Sequence, residues 1–514
     1  MIMRTFAAGC LLSALTTLGV NTATAEEFGK NGSWTVTQDE ATSGHVSTMQ
    51  LVIHPRANSQ PIFQHLLMPD DFELRSGNAA IHYLKAMAFL EQNGPRESVR
   101  EWERKAIEQK EDDENAVPNP HDWLDMPISE LPLDDVRKFL GYLDFQVPLI
   151  ERATRLRSFE FDRYIREESD PVLYLLPEIQ VIRDLARKQS LRCRLAIAES
   201  NSLQTLKVLK EQYALANHLG DDEFLVSTLV GCAISNIATA DALLAVQLEE
   251  TPNLYWAISA MPKPMISMKR ARSYERQFMF EQVKVFREFD EEKRPEAYWP
   301  GFIDQFINQI EPMRTEGLFN GGPLKELESL DRDTMFKLID EAYPAAKRYL
   351  IETCNIDSRL VEDYHKPQVV FLAAKRFGRI LCDESFKWNH VPRWQALESK
   401  SFQQFDGWRE EQVAQLGWPA EIMNMFLVAI DASRRAQCRV EQSLSLLQTV
   451  EALRLYAADH PGKLPTQLED LTVPVPLDCV TGKAFGYELA GGVATIEAAP
   501  TGKHRYVVQV KLAK

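Results

Sequence analysis

Residues 177–240 read PEIQVIRDLARKQSLRCRLAIAESNSLQTLKVLKEQYALANHLGDDEFLVSTLVGCAISNIATA, and the spacing of their apolar residues decides the fold. Ile179, Ile182, Leu185, Ala186, Cys193 and Ala196 recur at three- and four-residue steps, so they form an apolar stripe beside a basic face of Arg183, Arg187, Lys188, Arg192 and Arg194. Leu203, Leu206, Leu209, Tyr213 and Ala216 repeat the pattern in a second helix. Gly220 is expected to end it in a left-handed conformation, and Asp221 and Asp222 to cap the next helix. From Phe224 to Ala240 the chain carries no charge for 17 residues. Ser227, Thr228, Ser235, Asn236 and Thr239 dilute its apolarity, which predicts a buried central helix rather than a membrane span, and Gly231, Ala233 and Ser235 would let neighbouring helices approach closely.

Three successive helices with short polar connectors predict stacked antiparallel hairpins, a mainly α, irregular helical array of α-solenoid type. No 34-residue period recurs, so no repeat family is assigned. Outward from this stretch, helices are expected near 96–111, 133–154, 265–289, 325–352, 358–384 and 408–458. The joints Pro118-Asn119-Pro120, Pro262-Lys263-Pro264 and Gly321-Gly322-Pro323 separate several of them. The expected domains are a leader over 1–25, a partly extended entry segment over 26–75, a helical array over 76–322, a second helical region over 323–440, and a small α+β head over 441–514. In the entry segment, 47–53 is strand-like. In the head, strands over 485–489 and 493–498 about Gly491-Gly492, and a last strand with Tyr506, Val508, Val510 and Leu512 on one face, predict a three-stranded antiparallel sheet packed on a helix.

The 514 residues are 45% hydrophobic and 26% charged, within globular proportions, and their net charge of −16 repels phosphate backbones, which argues against a nucleic-acid partner. Residues 1–25, with Arg4, an uncharged stretch from Phe6 to Val20 and Ala23-Thr24-Ala25, predict a secretory signal peptide and hence an exported protein of the periplasm or cell surface. No transmembrane helix is expected in the mature chain. Six cysteines follow the leader: Cys193, Cys232, Cys354, Cys382, Cys438 and Cys479. None are spaced C-x-x-C; Cys193 and Cys232 lie in expected helices, where a buried free thiol is expected, and any pairing is left open.

Two resemblances extend this reading. The run Ala452-Leu453-Arg454-Leu455-Tyr456, then Gly462-Lys463-Leu464-Pro465, Leu468, Leu471 and 478–487 (DCVTGKAFGY), resembles the soluble head of type II secretion pseudopilins. The usual Asp-Pro of that turn is here Asp478-Cys479, and the preceding helix has only the uncharged run Ile422 to Ile430, too short to span a bilayer. The resemblance therefore implies a borrowed module rather than a pilus subunit. Through Gly77-Asn78-Ala79-Ala80, Tyr83, residues 252–257 (PNLYWA) and Met261-Pro262-Lys263-Pro264, the remainder resembles a family of large exported planctomycete proteins. That likeness implies export and architecture without supplying a site.

Chemistry is sparse. No His begins H-E-x-x-H, no Ser lies in G-x-S-x-G or S-x-x-K, and no Gly-rich phosphate loop occurs, so no catalytic residue, metal site or cofactor is assigned. The acidic run 111–115 lacks the Gly turn and terminal Glu of a calcium loop. Lys263, Lys269, Arg270, Arg272 and Arg276 are expected to pair along their own helix with Glu275 and Glu281. His121-Asp122-Trp123 is expected to be a helix cap with a packed Trp. Asn253, Tyr255 and Trp256 are the candidate binding residues, because Tyr and Trp offer large amphipathic contact area; the competing reading is that Trp256 fills a junction between helical layers. The function expected is an exported, non-catalytic binding or scaffold protein of the cell envelope, with an envelope protein as partner. The alternatives are an envelope-polymer hydrolase whose site only the fold assembles, and a secretion-apparatus accessory protein.

Overall fold

The computed structural model describes residues 34–39, 44–92, 94–108, 119–163, 176–282, 285–286, 289–315, 330–425 and 428–513. The expected leader, the acidic run 111–115 and the joint at 321–323 lie outside them. The chain is mainly α with a small α+β part. In chain order its main elements are β1 (Thr35–Asp39), β2 (Gly44–Ile53), β3 (Arg75–Asn78), α1 (Ala79–Gln92), α2 (Gly94–Glu108), α3 (Leu133–Gly141), α4 (Val147–Thr154) and β4 (Leu156–Ser158). There follow α5 (Pro177–Ala198), α6 (Ser202–Gly220), α7 (Leu225–Ala245), α8 (Tyr255–Ser259), α9 (Lys269–Gln282), α10 (Trp299–Thr315) and α11 (Arg332–Arg348). The chain ends with α12 (Lys366–Phe386), α13 (Phe405–Leu416), α14 (Trp418–Met425), α15 (Val428–Asp459), β5 (Gly486–Ala490), β6 (Val493–Glu497) and β7 (His504–Leu512). Two expected long helices are broken. Residues 133–154 form α3 and α4 around the turn Asp144–Gln146, and Gly417, at φ +69°, separates α13 from α14.

The chain divides into two compact units, one holding Arg272–Arg434 and the other Leu176–Ala271, Arg435–Lys514 and the N-terminal part up to Arg163. The divisions fall within α9 and α15, not at 322/323, where the joint Gly321-Gly322-Pro323 suggested a boundary, nor at 440/441, where the change to a helix-plus-sheet head did. Residues 272–434 are thus an insertion. The smaller unit has an aromatic-rich core in which Phe286, Phe306, Phe371 and Trp418 meet at centroid separations of 4.8–6.2 Å, and the Trp418 indole donates to Leu338 O at 3.1 Å.

In the larger unit α5, α6 and α7 pack together, and the apolar stripes read from the sequence are buried except at Leu203, in the first turn of α6, which is exposed. Two local expectations fail. Gly220 does not take a left-handed φ; its missing Cβ instead admits Ile266, whose Cγ2 lies 3.0 Å from where one would stand. Asp222 does not cap α7. It accepts from Arg163 at 2.9 Å, and Arg163 is also held by Glu178 between the rings of Phe161 and Phe224. Gly231 does allow close approach, since a Cβ there would lie 2.8 Å from Ala216 O.

The sheet has five strands among the described residues, in the order β1-β2-β7-β6-β5. The expected antiparallel β5, β6 and β7 are present, turning at Gly491 and Gly492 with φ of +59° and +79°. The correction is that the sheet continues into the entry segment. β2 pairs parallel with β7, Met49 opposite Val508 and Leu51 opposite Val510, and β1 pairs antiparallel with β2. The entry segment and the C-terminal head therefore share one sheet rather than forming separate domains. Burial explains the register: Met49, Leu51 and Ile53 alternate with the same phase as Val508 and Val510, and a slip of one residue would expose all five.

A disulfide, Cys438–Cys479, joins α15 to the turn after it, with Cα atoms 6.4 Å apart; the sequence had left pairing of these two cysteines open. The other described cysteines, Cys193, Cys232, Cys354 and Cys382, form no disulfide. Beside it the buried Asp478 accepts from Gln442 Nε2 at 3.0 Å, Val480 N at 2.8 Å and Ala499 N at 2.7 Å. Closing a 41-residue loop stabilises the fold by roughly 4 kcal/mol in the chain-entropy account.

The larger unit is closed where the insertion leaves and returns. Gln437 Nε2 donates to Ile266 O at 2.6 Å and Met265 N donates to Glu441 Oε1 at 3.0 Å, tying the strands of chain on either side of the insertion. Replacing residues 272–434 with a short Gly/Ser linker should leave a chain that still forms the Cys438–Cys479 bond and unfolds in one cooperative transition. Loss of near-ultraviolet circular dichroism in that variant would show the insertion to be required.

Candidate functional site

The three residues singled out in the sequence, Asn253, Tyr255 and Trp256, come together at the start of α8, and the surroundings give them a structural task. Asn253 is buried and its amide donates to Glu451 Oε2 at 2.7 Å and Glu451 O at 2.9 Å, while its own Oδ1 accepts from Tyr255 N at 3.1 Å. Glu451 in turn pairs with Arg454 one turn along α15, at 3.0 Å, and both side chains are 0% exposed. Arg454 then donates to His54 O at 3.1 Å and Thr251 O at 2.8 Å, and its carbonyl accepts from Arg56 N at 3.0 Å. This cluster therefore fastens the end of β2 and the 251–253 loop to α15.

A charge pair this deep survives because each lone pair and proton finds a partner. Burial pushes the Glu451 carboxyl up, while Arg454 and a backbone amide pull it back. Removing one partner of such a pair costs about 3–5 kcal/mol, because the other charge is left buried and unpaired. Tyr255 is likewise buried, its hydroxyl donating to Pro474 O at 2.5 Å. Trp256 is half-buried, 5.1 Å from the Tyr255 ring, and packs against the small cluster of Tyr255, Ala452 and Leu455. Asn253 and Tyr255 thus serve the joint between α8 and α15, and Trp256 covers it.

Just beyond that joint lies an open cleft of about 540 Å³, lined by Pro55–Ser59, His65, the first turns of α6 at Ser202, Leu203 and Leu206, and Glu250 and Pro252. His65, whose pKa burial lowers, belongs to the short turn Ile62–His65 that packs against α8. Ile62 and Phe63 of this turn are exposed, and Leu203 is 73% exposed. Single exposed apolar residues are ordinary; Leu203 stands out because it forms the wall of a cleft. None of the cleft residues carries a motif that marks it as functional in the sequence. Leu203 was assigned to the buried stripe of its helix, and its position in the first turn, where the stripe runs past the layer it packs against, is the signal that could have set it apart.

A second polar cluster is sealed between α5, α6 and α7. Glu211 accepts from Gln189 Nε2 at 2.7 Å, and Asp241 accepts from Ser190 Oγ at 3.1 Å and Gln212 Nε2 at 2.8 Å. Burial raises Glu211 to about 7 and Asp241 to about 6. His218 Nε2 donates to Leu156 O at 2.9 Å, so its Nδ1 accepts from the Tyr83 hydroxyl at 3.1 Å, and burial lowers its pKa to about 4. Neither Glu211 nor Asp241 lines the cleft. The remaining sequence candidates are accounted for by packing and pairing. Trp123 is buried against Trp102 and Phe139 while His121 is exposed. Arg270 pairs with Glu160 at 3.1 Å and Glu223 at 3.7 Å, and Arg276 with Asp383 at 2.5 Å, so their acids come from other elements rather than from the same helix face as expected. Among the described residues no cluster of His, Cys, Asp and Glu could hold a metal ion.

Comparison of the chain with protein-family models, curated proteins and solved structures finds no match to any of them.

The buried acids give a pH prediction. Glu211 is raised in the folded chain above its unfolded value of about 4.5, so its protonated form favours the fold at low pH. That contribution is lost as pH rises through about 7. Glu211→Gln, which stays neutral and can still accept from Gln189, should therefore gain stability relative to the parent between pH 5 and 8. Thermal melts of the two proteins across that range check it; a constant difference would contradict the buried-acid assignment.

Proposed function

We propose that this chain is an exported binding or scaffold protein of the cell envelope, working by presenting shape to a protein partner rather than by turning over a substrate. The observation that carries the reading is the exposed Leu203 on the wall of an open cleft, with Ile62 and Phe63 exposed on the turn that supplies His65 to the same cleft. Apolar side chains grouped around a concavity gain most when a partner removes them from water, at roughly 25 cal/mol per Å². Export is supported by the leader pattern over 1–25 and by Cys438–Cys479, since structural disulfides persist in oxidising compartments and are rare in reducing ones. The pseudopilin-like run over 452–487 fits a borrowed module. In the described chain this run leads into β5, which belongs to a sheet whose β2 comes from the entry segment.

Affinity capture from envelope fractions tests the proposal. The wild-type chain should retain a defined protein that Leu203→Asp and Phe63→Ser both release, while circular dichroism shows the variants folded. Capture of the same set by wild type and variants, or a clean monomer that retains nothing, would refute it.

A further inference from the structure

The chemistry of the cleft narrows what kind of partner segment it takes. The net charge of the chain is −16, and its arginines mostly meet carboxylates: Arg137, Arg157, Arg163, Arg187, Arg314 and Arg332 all do so. Arg56 differs. Its guanidinium makes one contact with the described chain, a 3.5 Å hydrogen bond to Glu250 O, and no described carboxylate pairs with it. Glu250 is exposed and turns its carbonyl, not its carboxylate, toward Arg56. The Arg56 backbone, by contrast, is fixed through its N–H to Arg454 O at 3.0 Å. The cleft therefore holds a cation on an anchored backbone with most of its five donors uncommitted.

Next to it, Ala57, Asn58 and Ser59 form no hydrogen bond with any described residue, although all three line the cleft. Their N–H and C=O groups form a row of main-chain donors and acceptors on the cleft wall. Facing apolar groups come from Leu203, Leu206, Pro55 and Pro252. Unused main-chain groups, an uncommitted guanidinium and an apolar wall together match an extended peptide, whose own backbone can bond the row while alternate side chains meet the two kinds of wall. A small organic acid fits less well, because a cleft this open would leave much of its surface in water.

We propose that the cleft receives an extended peptide segment carrying an Asp or Glu side chain within two residues of an aliphatic or aromatic one, the carboxylate meeting Arg56 and the apolar side chain meeting Leu203. This deepens the binding function proposed above and rests on it. The overall negative charge does not forbid an acidic segment. At physiological ionic strength charges are screened beyond about 8 Å, so acids elsewhere on the chain weigh little at the cleft; the one acid on its wall, Glu250, meets Arg56 through its carbonyl and leaves the guanidinium without a described carboxylate partner.

The test is to pan a phage-displayed library of random decapeptides against the full chain and to synthesise the most enriched peptide with blocked ends. Enriched sequences should place Asp or Glu beside Leu, Ile, Val or Phe. In fluorescence anisotropy Arg56→Gln, Leu203→Asp and an Asp→Asn change in the peptide should each weaken binding by about tenfold or more. The Arg56 and Leu203 side chains have almost no partners in the fold, so both variants should keep the parent's thermal melt. Absence of enrichment, enrichment of basic peptides, or competition by N-acetylleucine as effective as the peptide's own would overturn the proposal. Binding that is lost in Leu203→Asp but unchanged in Arg56→Gln would overturn the acidic specificity while leaving the broader binding function standing. Failure of Leu203→Asp to alter envelope capture would remove that function instead.

Discussion

The pair Glu451–Arg454, buried without exposure on α15, is the constraint on which the larger unit depends. One glutamate and one arginine at i and i+3 on a solvated helix would be worth a few tenths of a kcal/mol. Here they are enclosed, and the fold meets the desolvation cost by giving Arg454 the carbonyls of His54 and Thr251 and giving Glu451 the Asn253 amide. The consequence is topological. A strand from the first tenth of the chain, a loop from its middle and a helix near its end are held at one point, and β2 is delivered in register beside β7. The cleft wall at Arg56 and Pro252 begins at the very residues this cluster fixes.

Much of the architecture was legible because it is local. The stripes of α5 and α6, the uncharged run of α7 and the Gly491-Gly492 hairpin are encoded within a few residues, at periods of 3.6 and 2. What could not be read is what joins distant segments. Nothing near Ser47 specifies that its partner is Tyr506, 459 positions away, because the alternation of Met49, Leu51 and Ile53 fits any half-buried strand. The insertion boundary was missed for the opposite reason. Turn residues such as Gly321-Gly322-Pro323 mark where a helix stops, whereas the units divide inside α9 and α15, where the helical pattern continues without interruption.

The site was half legible. Residue type drew attention to Asn253, Tyr255 and Trp256, and they do converge, but an aromatic beside a buried amide can serve a joint as readily as a surface. The deciding facts, Glu451 beneath Asn253 and Pro474 above Tyr255, lie some 200 positions downstream. Leu203 and Arg56 were passed over because an apolar residue on a helical stripe and a lone arginine after a strand look ordinary until the fold places them on one cleft. Similarly Cys479 gains its reason only in three dimensions, where it faces Cys438 beside the Gln442–Asp478 hydrogen bond.

Native-state hydrogen exchange on wild type and Glu451→Gln tests the clamp most directly, because the Arg56 amide donates to Arg454 O and reports on it. If the clamp organises the unit, the variant should lose protection together at Val52, Arg56 and Tyr255, while amides in the middle of α6 keep theirs. Unchanged protection at Arg56 and Tyr255 in a variant that has lost its buried carboxylate would contradict the account.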